Sequence, residues 1–334
     1  MKFLFFAVIA QAATWQSSLE SRLAALDAST PGALGVYVKK LSDETPVSHE
    51  GDKIWYLSST TKVPVAVALL KKVEKGELSL SKQLSLQVSD YVDGAGELQR
   101  TKPGTKFTVR ELLERMLVHS DSSATDMLIR LIGADYVNEF LGDGFGDFTT
   151  ILQVRYDAFG ELHPKAKKLA NTDFIEFKRA RSYEGRLGLF TQRLNLSRED
   201  LLAPGIEEAF ERYYRKGRNS STLEAYGGLL EKLAEGELLN AEHTALILGF
   251  MKRITTGERR LKAGLPKGTE FAQKTGTQIG RICNVGIVNP STDPVVVAAC
   301  VEKFPDPRRA EGLLRQVGAA LAEAGVLKPV GKLK

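Results

Sequence analysis

The feature that most limits the fold lies late in the chain, where three β-prone runs follow one another with only turns between them. Residues 270–274, 281–288 and 295–303 carry the β-branched and small apolar residues of strands, and Asn289-Pro290-Ser291-Thr292-Asp293-Pro294 separates the last two. Runs of this kind bounded by turn formers read as strands, and connections this short force an antiparallel meander. A sheet needs cover, and two amphipathic helices are available at the chain ends. Residues 16–27 place Leu19, Leu23 and Leu26 on one face, and residues 308–322 form the closing helix. Short strands at 33–38 and 46–49 are expected to join the meander in one sheet.

Between these ends the chain reads as mostly helical. A strand-like 54–57 leads into a helix from 59 to about 76. Residues 108–119 carry Val109, Leu112, Leu113, Met116 and Leu117 on one face, with Thr108 as N-cap and Glu111 as its capping-box partner. Further helices are expected at 121–132, 135–141, 222–234 and 240–253. Residues 150–219 read poorly: a strand-like 151–156, a loop through His163-Pro164, then three charged helical pieces. The glycine-rich 142–147 lacks the lysine and the strand-before-helix setting of a phosphate loop, so a plain turn is expected. The expected architecture is α/β in the α+β sense, an antiparallel sheet flanked by terminal helices with an inserted, mostly helical domain. The sheet domain would take 13–58 and 240–330, and the helical domain 59–239.

With 334 residues, 43% of them hydrophobic and 26% charged, the chain has ample core for this plan. The net charge of +5 comes from lysines and arginines scattered among acids, which argues against a nucleic-acid stripe. Met1-Lys2, an apolar 3–9 and Ala10-Gln11-Ala12 form a signal-peptide pattern over 1–12, so a periplasmic or secreted protein is expected. No later segment has the roughly 18 uninterrupted apolar residues of a membrane span. The two cysteines, Cys283 and Cys300, would fall opposite each other in a hairpin; a disulfide and two buried thiols both fit. Four scattered histidines make no metal cluster. No metal or cofactor is expected, and a monomer acting on a small molecule is.

The chemistry begins at Ser59 and Lys62. Three residues is nearly one helical turn, so both side chains can share a face at a helix start. A partly desolvated lysine amine beside a serine can take its hydroxyl proton. The bland alternative is an N-cap and a solvated lysine. Two further stretches shift that balance. One is Val118-His119-Ser120-Asp121-Ser122-Ser123 at a helix–helix junction; the other is Gln273-Lys274-Thr275-Gly276-Thr277 at the end of the first meander strand.

S-x-x-K, S-D-N and K-T-G in this order are the signature of class A β-lactamases and penicillin-binding proteins. Here the first and third are intact and the second is Ser120-Asp121-Ser122, so the chain resembles that superfamily over nearly its whole length. The resemblance implies that Ser59 is the acylated nucleophile and Lys62 its proton acceptor. It also implies that Ser120 relays a proton to the leaving nitrogen and that Lys274 keeps the site electropositive. Ser122, Thr275 and Thr277 would bind substrate, the Ser59 and Thr277 amides would form the oxyanion hole, and Gly276 would allow close approach of the strand backbone. Arg281 reads either as a further carboxylate-binding charge or as a surface arginine.

Three departures stand out. Ser122 replaces the family asparagine, and its shorter hydroxyl cannot reproduce both amide donors. No Glu-x-x-Leu-Asn is present: Leu194-Asn195 matches its end, but Thr191 stands at the glutamate position. Arg218-Asn219-Ser220 resembles the exit of the same loop, with Asn219 for an aspartate, and counting back from it points to Glu207 and Glu208 as candidate deacylation bases. The segment before Lys274 is also roughly 50 residues longer than the family pattern, an excess assigned to about 150–205. The expected activity is a serine hydrolase opening β-lactam amides through an acyl-enzyme at Ser59. A D-Ala-D-Ala peptidase or an esterase with the same nucleophile, and a non-catalytic penicillin-binding or sensor domain, are the alternatives. Their ligands would be β-lactams or peptidoglycan-like peptides.

Overall fold

A computed structural model describes residues 14–304 and 306–327. The leader expected at 1–12 lies outside these residues. Helix α1 (Trp15–Ala28) leads into strands β1 (Ala33–Lys40), β2 (Val47–His49) and β3 (Ile54–Tyr56), then α2 (Lys62–Glu74). Strands β4 (Gln83–Ser85) and β5 (Lys106–Thr108) pair with each other ahead of α3 (Val109–Val118), α4 (Ser122–Ile132) and α5 (Ala134–Leu141). Helices α6 (Ile151–Gly160), α7 (Asn171–Arg179), α8 (Tyr183–Leu194) and α9 (Ile206–Tyr214) follow. Strand β6 (Ser220–Thr222), α10 (Leu223–Ala234), α11 (Ala241–Lys252) and the short α12 (Leu261–Gly264) lead to β7 (Phe271–Gln278), β8 (Arg281–Val288) and β9 (Val295–Glu302). Helix α13 (Pro307–Glu323) comes last.

The expected sheet is present: five antiparallel strands in the order β2-β1-β9-β8-β7, mixing the first and last parts of the chain. Strand alternation sorts its side chains. Val36, Val38, Val297, Ala299 and Val301 face one way and pack with Leu19 and Leu23 of α1 and Leu313, Leu314, Val317 and Leu321 of α13. Tyr37, Val285, Ile287, Val296 and Ala298 face the other way, into the cluster that includes α2, α3, α4 and α10. Each fully buried leucine or valine contributes about 1.5–3 kcal/mol, so two covered faces hold the sheet between helical layers. Helix α2 is buried from Lys62 through Leu70, and Pro64 sits in its first turn, where no backbone N–H is needed.

The strand-like 151–156 is a correction: these residues open helix α6. Thr150 Oγ1 accepts the Gln153 amide at 3.2 Å, and the buried Asp126 carboxylate accepts the amides of Ile151 and Leu152 at 2.6 and 2.9 Å. Asp126 comes from α4, so a tertiary cap overrides the local β preference. The long segment around it folds on its own aromatic cluster. Phe159 packs on Phe174, Phe177, Phe190 and Phe210 with ring centroids 5.3, 5.8, 5.5 and 6.1 Å away, and Tyr56 of β3 joins the same cluster.

Strand β7 is also longer than expected and carries Lys274, Thr275, Gly276 and Thr277 within its ladder to β8. The two cysteines, left open by the sequence, are bonded: Cys283 and Cys300 stand opposite each other in β8 and β9. Among the described residues no helix is long and apolar enough to cross a membrane.

Candidate active site

Strand β3 pairs with β6 and delivers the chain to a short 3₁₀ turn at Ser58–Thr61, directly ahead of α2. The turn is held from three sides. The Leu57 amide donates to Asn219 O at 3.0 Å, Thr60 Oγ1 donates to Leu57 O at 2.7 Å, and the Tyr226 hydroxyl donates to Thr60 O at 2.7 Å. Ser58 takes φ 51°, a left-handed conformation costly for a residue with a Cβ, and Ser120 does the same at φ 57°. One left-handed residue therefore precedes Ser59 and another occupies the α3–α4 junction, where strain is held by surrounding packing.

Lys62, the first residue of α2, is fully buried. Its Nζ donates to Ser59 Oγ at 2.9 Å, to Ser120 O at 2.8 Å and to Ser120 Oγ at 3.1 Å. Burial pulls its pKa down to about 7; Asp121 and Asp126 oppose this, and Arg155 adds to it. Lys274, also fully buried, donates to the same Ser120 Oγ at 3.0 Å and to Thr275 O at 3.1 Å. Burial, with Lys62 and Arg260 nearby, holds its pKa well below the usual lysine range. A neutral amine at 2.9 Å from a serine hydroxyl has the lone pair and the distance that proton abstraction requires. Asp121 reaches none of this directly. Its carboxylate caps α4 through the Ala124 amide at 2.9 Å and takes the amides of Glu97 and Leu98 at 2.8 and 3.0 Å, fixing the junction that bears Ser120.

Strand β7 is the edge of the sheet, so one side of its backbone is left open toward the cleft. A Cβ placed on Gly276 would lie 2.5 Å from Leu57 O, 2.9 Å from Ser58 Cβ and 3.2 Å from Ser59 N, so only glycine lets β7 lie against the serine turn. Thr275 and Thr277 line the cleft, as do Ser59, Ser120 and Ser122. Thr275 Oγ1 is 2.5 Å from Thr256 Oγ1. Thr277 Oγ1 accepts from Arg260 Nη2 at 2.6 Å, and Arg260 Nη1 donates to the carbonyls of Gly276 and Cys283, both at 3.0 Å. Glu311 of α13 pairs with Arg260 at 3.4 Å.

The structure does not bring Arg281, Glu207 or Glu208 to this cleft. Arg281 is buried, paired to Glu211 through two 2.8 Å bonds and to Glu302 at 3.2 Å, and its guanidinium lies 4.6 Å from the Tyr214 ring centre. It is neither a surface arginine nor a substrate ligand; Arg260 is the arginine beside Thr277. Sequence reading missed it because Arg259-Arg260 sits in a charged loop with no motif around it. Glu208 pairs with Arg212 and Arg215 at 3.1 and 3.2 Å, and Glu207 is exposed. Their neighbours Ile206 and Phe210 line the cleft instead. Asn219 also lines it and accepts the Thr149 amide through Oδ1 at 2.7 Å. Leu194-Asn195 ends helix α8, and the Thr191 hydroxyl donates to Gly188 O at 3.0 Å. Among the described residues the carboxylates lining the cleft are Asp93 and Glu311. Both are engaged by arginines, Asp93 by Arg155 at 2.6 Å and Glu311 by Arg259 at 2.8 Å.

The model of the Beta-lactamase enzyme family matches residues 18–324. A β-lactamase of Mycobacterium tuberculosis is 26% identical over 316 residues, which cover 93% of this chain and 86% of that protein. The crystal structure of a β-lactamase from Sphaerobacter thermophilus superposes with a TM-score of 0.69 at 23% identity, covering 95% of this chain and 100% of that one. A mutant of PBP-A, solved as its acyl-enzyme complex with penicillin G, superposes with a TM-score of 0.67 at 25% identity, covering 92% of this chain and 96% of that one.

Proposed function

From the premise that this chain belongs to the β-lactamase enzyme family, we propose that it is a serine hydrolase that opens β-lactam amides through an acyl-enzyme at Ser59. The observation that carries this reading is the 2.9 Å contact between Ser59 Oγ and the buried Lys62 amine, whose pKa is brought down to about 7. Lys62 takes the hydroxyl proton as Ser59 Oγ bonds to the lactam carbonyl carbon. The carbonyl oxygen becomes an oxyanion held by the amides of Ser59 and Thr277. Ser120 Oγ gives its proton to the lactam nitrogen as the C–N bond breaks, and the proton on Lys62 replaces it across 3.1 Å. Thr275 and Thr277 receive the carboxylate on the nitrogen side of the lactam, with Arg260 behind Thr277 and the buried Lys274 amine nearby. Ser122 borders the same groove.

Hydrolysis of the acyl-enzyme needs a group to activate water. Among the described residues, both carboxylates lining the cleft are tied to arginines, and the wall contributed by Ile206 and Phe210 is apolar. This supports slow deacylation and favours, as a second reading, a penicillin-binding protein or D-Ala-D-Ala peptidase using the same nucleophile. Intact mass followed over time with a chromogenic cephalosporin separates the two. A Ser59-dependent adduct that disappears as product accumulates supports the lactamase, and a persistent adduct supports the penicillin-binding reading. An adduct that survives Ser59→Ala overturns the assignment of the nucleophile. The Cys283–Cys300 disulfide supports placing the protein outside the reducing cytosol, where such bonds persist.

A further inference from the structure

The cleft has a volume of about 670 Å³, within the range of small-molecule sites, and it has two unlike walls. Strand β7 and Arg260 form one. Helices α6, α7 and α8 supply the other, whose lining includes the buried Phe159, Phe174 and Phe177 and the cations Arg155, Lys178 and Arg186. Asp93 is the carboxylate lining this wall, and Arg155 takes it at 2.6 Å. Lys178 donates to a neutral partner, Gly94 O, at 2.7 Å. Arg186 donates to Ala180 O at 3.4 Å and lies 5.3 Å from the Tyr183 ring centre. Glu207, whose charge acts on Tyr183, is exposed and does not line the cleft. Lys178 is exposed at the cleft, and partial desolvation lowers its pKa; Asp93 opposes this, while Arg155, Arg186 and Arg100 push it the same way. The Arg155 charge is taken up by Asp93, whereas Lys178 and Arg186 repel each other with no carboxylate between them among the described residues, and an anion bound to both relieves that repulsion.

The chemistry of the scissile bond says which part of a substrate reaches this wall. A β-lactam carries its carboxylate on the nitrogen side, toward β7, so the acyl half extends from Ser59 the other way. We infer that α6, α7 and α8 build a second anion subsite, in which Lys178 and Arg186 bind an acidic group on the acyl half. The substrates selected are dianions with one acid on each side of the scissile bond. This inference rests on the acylation reading above. The acid can belong to a β-lactam side chain or to an acidic peptide ahead of a D-Ala-D-Ala bond.

Benzylpenicillin and its α-carboxy analogue carbenicillin differ by one carboxylate on the acyl side, which makes them a matched pair. The acylation rate constant is measured for each by intact mass, in wild type, Lys178→Met, Lys178→Glu and Arg186→Met. The carbenicillin-to-benzylpenicillin ratio is expected to fall at least about fivefold in either methionine variant and further in Lys178→Glu. A tripeptide ending in D-Ala-D-Ala, with glutamate or glutamine ahead of it, gives the same ratio for a peptide source. Ratios that stay at the wild-type value in all variants, for both pairs, overturn the subsite. Calorimetric binding of both penicillins to Ser59→Ala separates the two proposals. Tighter binding of carbenicillin there, lost on adding Lys178→Glu, supports the subsite even if wild type forms no adduct. Equal or undetectable binding of the pair, with no adduct in wild type, overturns both.

Discussion

Lys62 and Lys274 share one hydroxyl: the Ser120 Oγ stands 3.1 Å from the first amine and 3.0 Å from the second. Burial penalises the charge on each amine, and the Lys62 charge adds to this at Lys274, so both pKa values are lowered. In the proposed acylation, Lys62 must be neutral to take the Ser59 proton. The acylation rate constant should therefore rise about tenfold per pH unit below pH ~7 and level off above it. Stopped-flow or quenched mass measurements between pH 5 and 9 check this. A rate independent of pH over that range would remove Lys62 from the role of base.

Gly276→Ala should cost about 100-fold in acylation rate, because the new Cβ meets Leu57 O, Ser58 Cβ and Ser59 N and pushes the serine turn away from β7. The melting temperature should fall by only a few degrees, since the sheet register does not depend on this side chain. A large loss of rate with circular dichroism unchanged is the expected combination. Wild-type acylation by the alanine variant would show that the turn and the strand are not in register for catalysis.

Arg260→Gln should raise the penicillin concentration needed for half-maximal acylation by at least about tenfold, with a smaller effect on the limiting rate. Arg260 orients Thr277 Oγ1 at 2.6 Å and braces the Gly276 carbonyl at 3.0 Å, so its loss weakens the carboxylate end of the site more than the serine end. Arg260→Lys should not restore binding, because one ammonium cannot supply the planar fork that reaches three acceptors. Full rescue by lysine would mean that charge alone is needed there.

Replacing both Cys283 and Cys300 with alanine should lower the melting temperature by roughly 4–8 °C. The bond closes a 17-residue separation, for which chain entropy corresponds to about 3 kcal/mol. Thermal unfolding with and without reductant checks the value. Both sulfurs are buried in the sheet, so reductant should act only as the protein unfolds. Identical melting temperatures for the variant and the oxidised wild type would contradict a stabilising role.

The parts legible in the sequence were those written in local pattern. The meander and the terminal helices declare themselves through periodicity, and Thr108 with Glu111 forms the expected capping box, with bonds at 2.7 and 3.2 Å. Ser59, Lys62, Ser120 and Lys274 were legible because their three motifs, in order, resemble those of a known family, and the fold links them through hydrogen bonds of 2.9 to 3.1 Å. Residues 151–156 failed that test: Ile151, Val154 and Tyr156 favour a strand by type, and the cap that turns them into a helix comes from Asp126.

Periodicity thus determined the sheet and its covering helices, because each depends on neighbours within a few turns, while the resemblance of three short motifs to a known family pointed to the candidate catalytic residues. Tertiary structure decided the rest. It chose Arg260 over Arg281 beside Thr277, bonded Cys283 to Cys300, turned Glu207 and Glu208 away from the cleft, and lined its far wall with cations. Each of those outcomes depends on which distant segments pack together, and a side chain's charge, partner and pKa belong to that packing rather than to its place in the chain.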